Sequence, residues 1–570
     1  MNNKLIINEL RSLISLMELH DEPENKVKIY HSAVFVAEKN IDIPLYNKSE
    51  QELISMGFSK TAAAKIADYA LTGILQEKIN YLSITPTGLL DVLQIKGLGA
   101  KKVRLLWKEL GIDNIDLLWL ACKTGKVASV KGFGEKTQQQ IIEKITFIRD
   151  SFGKLHLNVA TDTANHLKSL LQNYFEVVEI TGEVRRCMEV VSVISFLVQT
   201  DNFQQGRDYI NALSELTYQE TISNPFVWRG KYLPSATKVE IRMVNSDSFF
   251  GELLVHSSSE KHLQTILNNG HTLLNVARLK GYDSEAAIYE AVGMQYVAPE
   301  MREGNDEIAL AQAGTLPLLV EMSDLKGVLH NHSTYSDGKH SIEEMALYCK
   351  ELGYQYLGIT DHSVTAYYAN GLSIENIRQQ HQEIDRLNLQ LAPFKIFKGI
   401  ESDILLDGSL DYPDEILASF DFIVASVHSP LEMDEAKATE RLLRAIANPY
   451  TTILGHPTGR LLLKRAGYPI NHQKVIDACA THGVVIEINA NPWRLDLDWR
   501  WVRYALGKGV KISINPDAHE KDGYADMLYG LKVGRKAGLT KNMTFNALTV
   551  SEIGSYFTER KENTKKNHTL

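Results

Sequence analysis

Between Val328 and His519 the chain sets histidines and acids at intervals suited to holding metal ions. The segment V-L-H-N-H-S-T-Y-S-D-G brings His330, His332 and Asp337 together. His362 follows in I-T-D-H-S, Glu401 in K-G-I-E-S-D, His428 in A-S-V-H-S-P, His456 in L-G-H-P-T-G-R, and Asp517 with His519 in N-P-D-A-H-E. Side chains two apart on a strand share a face, so His330 and His332 can chelate one ion. Nine imidazole and carboxylate ligands without a thiolate suit zinc, manganese or iron. They exceed what one tetrahedral ion takes, so two or three divalent ions are expected. Two ions roughly 3.5–4 Å apart can hold a hydroxide and polarise a phosphoryl oxygen, which makes phosphoester hydrolysis the expected chemistry.

Ligands so far apart in sequence need a frame that gathers them. Apolar runs of strand length recur at Lys326–His332, Tyr354–Asp361, Phe394–Glu401, Asp421–His428, Thr451–His456, Val484–Asn489 and Val510–Asp517. Segments with helical spacing, such as Ile342–Leu352, Ile374–Leu387 and His472–His482, lie between most of them. Six of the seven runs end in a ligand-type residue, as expected where the C-terminal strand ends of a parallel barrel converge.

A chain of 570 residues exceeds one core and predicts two to four domains. With 44% hydrophobic and 23% charged residues it reads as an ordinary soluble protein. No apolar run is long enough to span a bilayer, and the N-terminus breaks too early for a signal peptide, so a cytoplasmic location without membrane contact is expected. Cys122, Cys187, Cys349 and Cys479 lack C-x-x-C spacing and read as reduced, packed thiols. The net charge of -9 hides a basic stretch, because residues 96–144 carry ten Lys or Arg, Lys96 among them, against five acids. This stretch holds two copies of one pattern, L-Q-I-K-G-L-G-A-K-K and S-V-K-G-F-G-E-K. Gly97 and Gly99, then Gly132 and Gly134, permit tight turns that aim backbone N–H groups at an anion, with Lys101, Lys102 and Lys136 beside them. The pair resembles the helix-hairpin-helix, which grips DNA backbone without reading sequence. An earlier segment, L-I-S-M-G-F-S-K-T, keeps only Gly57 and is expected to be plain helix packing within Leu53–Ala70.

The order H-x-H, S-D-G, D-H, Glu, H-S, G-H-P and D-A-H resembles the PHP (polymerase and histidinol phosphatase) domain. The whole chain resembles a bacterial family X DNA polymerase carrying that domain at its C-terminus. The resemblance implies a distorted seven-stranded βα barrel, a trinuclear site using all nine positions, and Arg460 of G-H-P-T-G-R near the substrate phosphate. Glu401 or Asp517 would bridge two ions. It further implies a polymerase palm at F-E-V-V-E-I-T-G-E-V-R-R-C-M-E-V-V-S-V-I-S-F, where the family reads G-S-x-R-R and then D-x-D. Here Glu183 replaces the family's serine, Val193 and Ser195 stand at the D-x-D positions, Glu240 takes the third carboxylate position, and Ser257, Ser258 and Ser259 replace the thumb's Thr-Gly-Ser. Valine cannot coordinate magnesium, so loss of polymerase activity is expected.

The expected architecture is multidomain α and α/β. Residues 1–80 form an N-terminal helical domain and 81–148 the helix-hairpin-helix region. A degenerate α+β palm and thumb at 149–298 and a linker at 299–325 precede the barrel at 326–558 and a disordered tail at 559–570. The expected function is a DNA-repair phosphoesterase acting on gapped DNA or 3′ ends, by 3′–5′ exonuclease action, end processing or abasic-site cleavage. A surviving gap-filling polymerase, a small-molecule phosphatase of the histidinol-phosphate kind and a non-catalytic DNA-end binder are the alternatives.

Overall fold

The computed structural model describes residues 3–40, 43–95, 97–279 and 281–568, with side chains as far as 562. Lys96 and the last two residues of the expected tail lie outside that set. The chain divides into two units, 1–152 and 153–570.

The first unit is helical because its apolar residues recur at the spacing of one helix face. In the helix Asn3–Leu19, Ile6, Ile7, Leu10, Leu13, Ile14 and Met17 enter one apolar cluster with the helices that follow. Leu16 and Leu19 of the same helix enter a second cluster with Leu89, Val103, Leu118 and Ile141. The expected 1–80 and 81–148 regions thus keep separate cores that share one helix. The helix expected over Leu53–Ala70 is instead two, Glu50–Ser55 and Lys60–Thr72. Gly57 at φ +102° ends the first, and Ser59 caps the second by accepting from the Ala62 N–H.

In the second unit a five-stranded mixed sheet comes first. Its spatial order is Val178–Thr181, Val193–Gln199, Thr237–Val244, Val227–Tyr232, Leu216–Tyr218. A helical cluster built on Leu254, Leu273, Ile288 and Tyr289 follows. Residues 299–325, expected as a linker, are packed rather than extended: the helix Glu307–Ala313 gives Ile308 and Ala311 to that same cluster. Apolar residues one turn apart decided this against the polar composition around them.

The barrel strands are Gly327–Val328, Tyr356–Ile359, Lys395–Asp403, Phe422–Ser426, Ile453–Leu454, Val485–Asn489 and Ile512–Asn515. All seven are parallel and adjacent in chain order, and each falls within or beside its expected run. The two outer strands approach each other, since Asn331 pairs with Ala518 and the His332 N–H donates to the Ala518 carbonyl at 2.8 Å. The barrel is therefore nearly closed. Helices start on clear signals. Ser341 accepts from the Glu344 N–H while Glu344 accepts from the Ser341 N–H at 2.9 Å, opening Ile342–Glu351 directly after the H-x-H loop.

The tail departs from the expected disorder, because the helix Val550–His568 runs through 559–568. Thr549 and Glu552 cap its start, and Phe557 stacks on Phe422 with ring centroids 5.1 Å apart. Arg560 then donates to the Gly483 carbonyl at 2.9 Å, so polar anchors extend the helix past its last apolar one. All four cysteines are free and buried, and burial pushes the Cys122 and Cys187 thiols up to about 11. Among the described residues no helix is long and apolar enough to cross a membrane.

Candidate metal centre and nucleic-acid interface

All nine expected ligands converge at the C-terminal ends of the barrel strands. Their ligand atoms form four overlapping groups, each within 4.8 Å: His332, Asp337, His362 and His519; His330, His332 and Asp517; His330, Glu401 and His456; His362, Glu401 and His428. Glu401 sits at the centre, fully buried. Its Oε1 lies 3.0 Å from His456 Nε2, 3.2 Å from His428 Nε2 and 3.3 Å from His330 Nε2. Its Oε2 lies 2.9 Å from His362 Nδ1 and 3.6 Å from His332 Nε2. Asp517 Oδ1 reaches His332 Nε2 at 3.1 Å and His330 Nε2 at 3.5 Å. Asp337 and His519, 3.3 Å apart and about a third exposed, form the open rim.

Charge and burial compete here. Burial alone would raise the Glu401 carboxyl, yet the His428, His330 and His362 rings hold it well below the usual carboxylate range. Burial, with His519 and His362 nearby, drives His332 down to about 3, leaving it neutral as a ligand must be. His428 goes up to about 10 in spite of burial, because Glu401 and Asp403 face it.

Several buried polar atoms in this cluster make no hydrogen bond of good geometry, even where an oppositely charged atom is close by: His330 Nε2, His332 Nδ1, His362 Nδ1, His456 Nδ1 and Glu401 Oε2. An orphaned buried nitrogen or oxygen costs about 1–3 kcal/mol. Clustered orphans with nitrogen and oxygen donors alone fit zinc, manganese or iron. Backbone strain gathers at the same place, since Asp517 and His456 have φ of +53° and +22°.

Sequence reasoning missed the carboxylates that orient the rings. Glu487, fully buried, accepts from His330 Nδ1 at 2.7 Å and from the His456 N–H at 3.1 Å. Asp403 pairs with His428 Nδ1. The contacts to His330 and His428 fix the proton on Nδ1 and turn Nε2 toward the centre, while the bond to the His456 backbone N–H holds that residue's main chain. The available signal was a charged residue inside an apolar strand run, V-V-I-E-I-N, in the one run that did not end in a ligand.

Arg460, which the resemblance sets near the substrate phosphate, has its guanidinium engaged within the barrel's own loops. Its guanidinium donates to Asp498 Oδ2 at 2.6 Å, to the Arg494 carbonyl at 2.8 Å and to the Leu495 carbonyl. The cation beside the ligands is Arg494, with Nε 3.7 Å from Asp517 Oδ2. Tyr368, 70% exposed, stands at the mouth with its ring centroid 6.1 Å from His362 and 6.4 Å from His428.

In the first unit the two glycine pairs are built alike. Gly97 and Gly132 take φ of +88° and +92°, which only glycine adopts easily, while Gly99 and Gly134 precede the helices Ala100–Leu110 and Glu135–Ser151. The space beside Gly99 and Gly134 is open, so the helix-start N–H groups are accessible to an anion. Lys101 and Lys136 are exposed, and Lys102 lies 5.8 Å from the Phe133 ring of the other hairpin.

In the five-stranded sheet Ser195 pairs with Glu240, and Val193 with Lys238. Glu240 is held by Arg229 at 2.7 Å and Arg242 at 3.3 Å. The Glu183 carboxylate accepts from the Ser192 and Val193 N–H groups at 2.5 and 3.1 Å, filling the turn with its own negative charge. Ser257 accepts from Arg185 at 2.7 Å, Ser258 donates to the Leu254 carbonyl, and Ser259 caps the helix Glu260–Gln264. Among the described residues, no metal-type group of three or more His, Cys, Asp or Glu involves this sheet.

The PHP domain family matches residues 329–491, and the SAM-like helix-hairpin-helix tandem family matches 89–146. The DNA polymerase/3′–5′ exonuclease PolX of Bacillus subtilis (strain 168) is 32% identical over 569 residues, covering 98% of this chain and 99% of that protein. A probable phosphatase of Thermoanaerobacter sp. (strain X514) is 30% identical over 245 residues, 41% of this chain and 94% of its own length. Among solved structures, a histidinol phosphate phosphatase of Lactococcus lactis, complexed with zinc, histidinol and phosphate, aligns with 38% of this chain and 94% of its own, at 19% identity and TM-score 0.32. A ternary complex of Leishmania infantum polymerase beta aligns with 38% and 98%, at 17% identity and TM-score 0.23.

Proposed function

This chain belongs to the PolX family of bacterial family X DNA polymerases with a C-terminal PHP domain, and from that premise we propose that it works as a metal-dependent phosphoesterase on DNA whose polymerase activity is lost. The observation that carries this reading is the convergence of nine ligand-type side chains, with orphaned buried atoms, at the open end of the barrel.

Two or three divalent ions, when bound, would supply Lewis-acid polarisation of a phosphoryl oxygen and a lowered pKa for water. Glu401 is suited to bridging, because its two oxygens face different histidines, and Asp517 offers a second carboxylate. Glu487 and Asp403 hold the proton on the outer nitrogen of His330 and His428. Arg494 is the cation placed to take phosphate charge, and Arg460 acts on it through the loop. The exposed Tyr368 ring offers a base or sugar a stacking face. Substrates are gapped duplexes or 3′ ends held independently of sequence by the tandem hairpins, in the cytoplasm. Whether the product is a shortened 3′ end, a deblocked one or a cleaved abasic site follows from which nucleotide reaches the rim. Val193, Ser195 and the doubly paired Glu240 leave no free carboxylates to hold magnesium at a triphosphate, which supports loss of nucleotide addition.

A 5′-labelled gapped duplex incubated with manganese, with and without all four dNTPs, tests the reading. Wild-type protein should shorten the labelled strand in both conditions, and His330→Ala/His332→Ala should not. Extension by that variant would show that the palm still polymerises; absence of shortening in wild type would sink the exonuclease, and absence of cleavage on duplexes carrying a 3′-phosphate or an abasic site as well would sink the phosphoesterase.

A further inference from the structure

The palm's strand-turn, deprived of its carboxylates, makes contacts that a vestige would not need. Glu189 follows the two arginines of that turn and is buried. It accepts from Trp499 Nε1 at 3.1 Å and from Arg500 at 2.7 Å, both in the barrel. Arg500 also reaches both Asp498 oxygens at 3.0 Å, Asp498 holds Arg460 at 2.6 Å, and Arg460 donates to the carbonyls of Arg494 and Leu495. Arg494 in turn lies beside Asp517. A second grip acts on the same loop. His156, in the short strand Leu155–His156 that pairs with Val190–Val191, tilts over Trp493 at a centroid distance of 4.3 Å and bonds the Leu462 carbonyl at 2.9 Å.

The loop between these grips is one that would not keep its shape alone. Leu495 sits at φ +42°, a left-handed conformation that a non-glycine residue keeps only when its surroundings over-determine it. Asp496 accepts from the Thr458 N–H and hydroxyl at 2.9 Å, which fixes the loop from below. The charged chain from Glu189 fixes it from the palm side. The arginine needs this support because a misplacement of about 1 Å can cost two orders of magnitude in transition-state positioning.

We propose that the polymerase remnant is a positioning element for the phosphoesterase, in which Glu189, through Arg500, Asp498 and Arg460, holds Arg494 at the phosphate of the substrate. The proposal rests on the phosphoesterase reading above and assigns to Glu189 no contact with substrate. It gives Glu189 a task beside Val193 and Ser195, whereas Arg185 and Arg186 pair with Glu285 and Glu303. The turn is also tied down from a third direction, because Lys536, whose side chain is fully buried, donates to the Arg186 carbonyl at 3.0 Å.

The test measures binding of thymidine 5′-monophosphate to the full, manganese-loaded chain by titration calorimetry, alongside bound-metal content. Arg494→Ala and Glu189→Ala should each weaken the nucleotide roughly tenfold with metal content unchanged. Their combination should be no weaker than either alone, because both remove one interaction. Glu189→Gln, which keeps the acceptor for Trp499 but loses the charge, should fall between. Arg500→Ala repeats the test at a half-exposed side chain whose removal opens no core, should Glu189→Ala not fold. Wild-type affinity in Glu189→Ala or Arg500→Ala, or effects that add in the double variant, overturns the relay and leaves the phosphoesterase standing. A wild-type chain that loads manganese yet binds no nucleotide phosphate overturns both.

Discussion

A histidine binds a metal through one ring nitrogen only when its proton is kept on the other, so the carboxylates behind the ligands matter nearly as much as the ligands. Glu487 does this for His330 through Nδ1, also accepts from the His456 backbone N–H, and is itself held by Asn515 at 3.0 Å. Glu487→Gln keeps the volume but offers the ring a weaker, neutral acceptor. Metal affinity is expected to fall roughly 10–100-fold, read as metal retained after dialysis against buffered manganese, with activity returning at excess metal. Full retention would reduce Glu487 to a packing role. The gathering of the nine ligand-type residues was legible in the sequence because residue type agrees with a position at or just beyond a strand end, Asp337 in the following loop being the farthest from one. Glu487 was not, because a buried acid within a strand has the same one-dimensional pattern whether it faces a metal ligand or a neighbouring amide. Arg460 and Arg494 illustrate the same limit. Both follow barrel strands, and only the path of the loop carrying Leu495 decides which guanidinium meets Asp517.

Elements were legible where apolar periodicity sets them and obscure where polar contacts do. All seven barrel strands fell within or beside their apolar runs. The helix beyond Phe557 and the helix Glu307–Ala313 were missed, since Arg560's bond to Gly483 and the packing of Ile308 join parts of the chain that composition cannot connect. Asp526 shows an element whose stability depends on pH. It stands at the start of the helix Met527–Lys536, and burial pushes its carboxyl up to about 7. An unfolded aspartate titrates near ~3.9. Between these values the folded chain holds a proton that the unfolded chain has lost, so stability falls as pH rises from about 4 to about 7 and stays lowered above that. Asp526→Asn removes the penalty. It should gain roughly 1–2 kcal/mol over wild type at pH 8, discounted for partial exposure, and almost nothing at pH 4, measured by denaturant unfolding at both. Equal differences at the two pH values would place the effect elsewhere.

On the scale of the whole molecule, a chain of net charge -9 is expected to handle a polyanion, which is possible only because its charge is unevenly distributed. Residues 89–146 match a helix-hairpin-helix tandem and hold exposed Lys101, Lys131 and Lys136 near glycine turns, whereas the barrel gathers acids for metal. If the hairpins bring DNA to the enzyme, each lysine at a phosphate releases counterions, and DNA affinity falls as a power of salt concentration with an exponent of roughly 0.9 per contact. A small ester such as bis(p-nitrophenyl) phosphate needs only the metal centre. Hydrolysis of DNA at limiting substrate should therefore drop steeply between low and moderate salt, while hydrolysis of the small ester changes little. Lys101→Ala/Lys131→Ala/Lys136→Ala should flatten the DNA slope by up to about 3, leaving the small-ester rate intact. Parallel salt dependence for both substrates would favour the small-molecule phosphatase reading, because a substrate of that size gains nothing from a backbone grip.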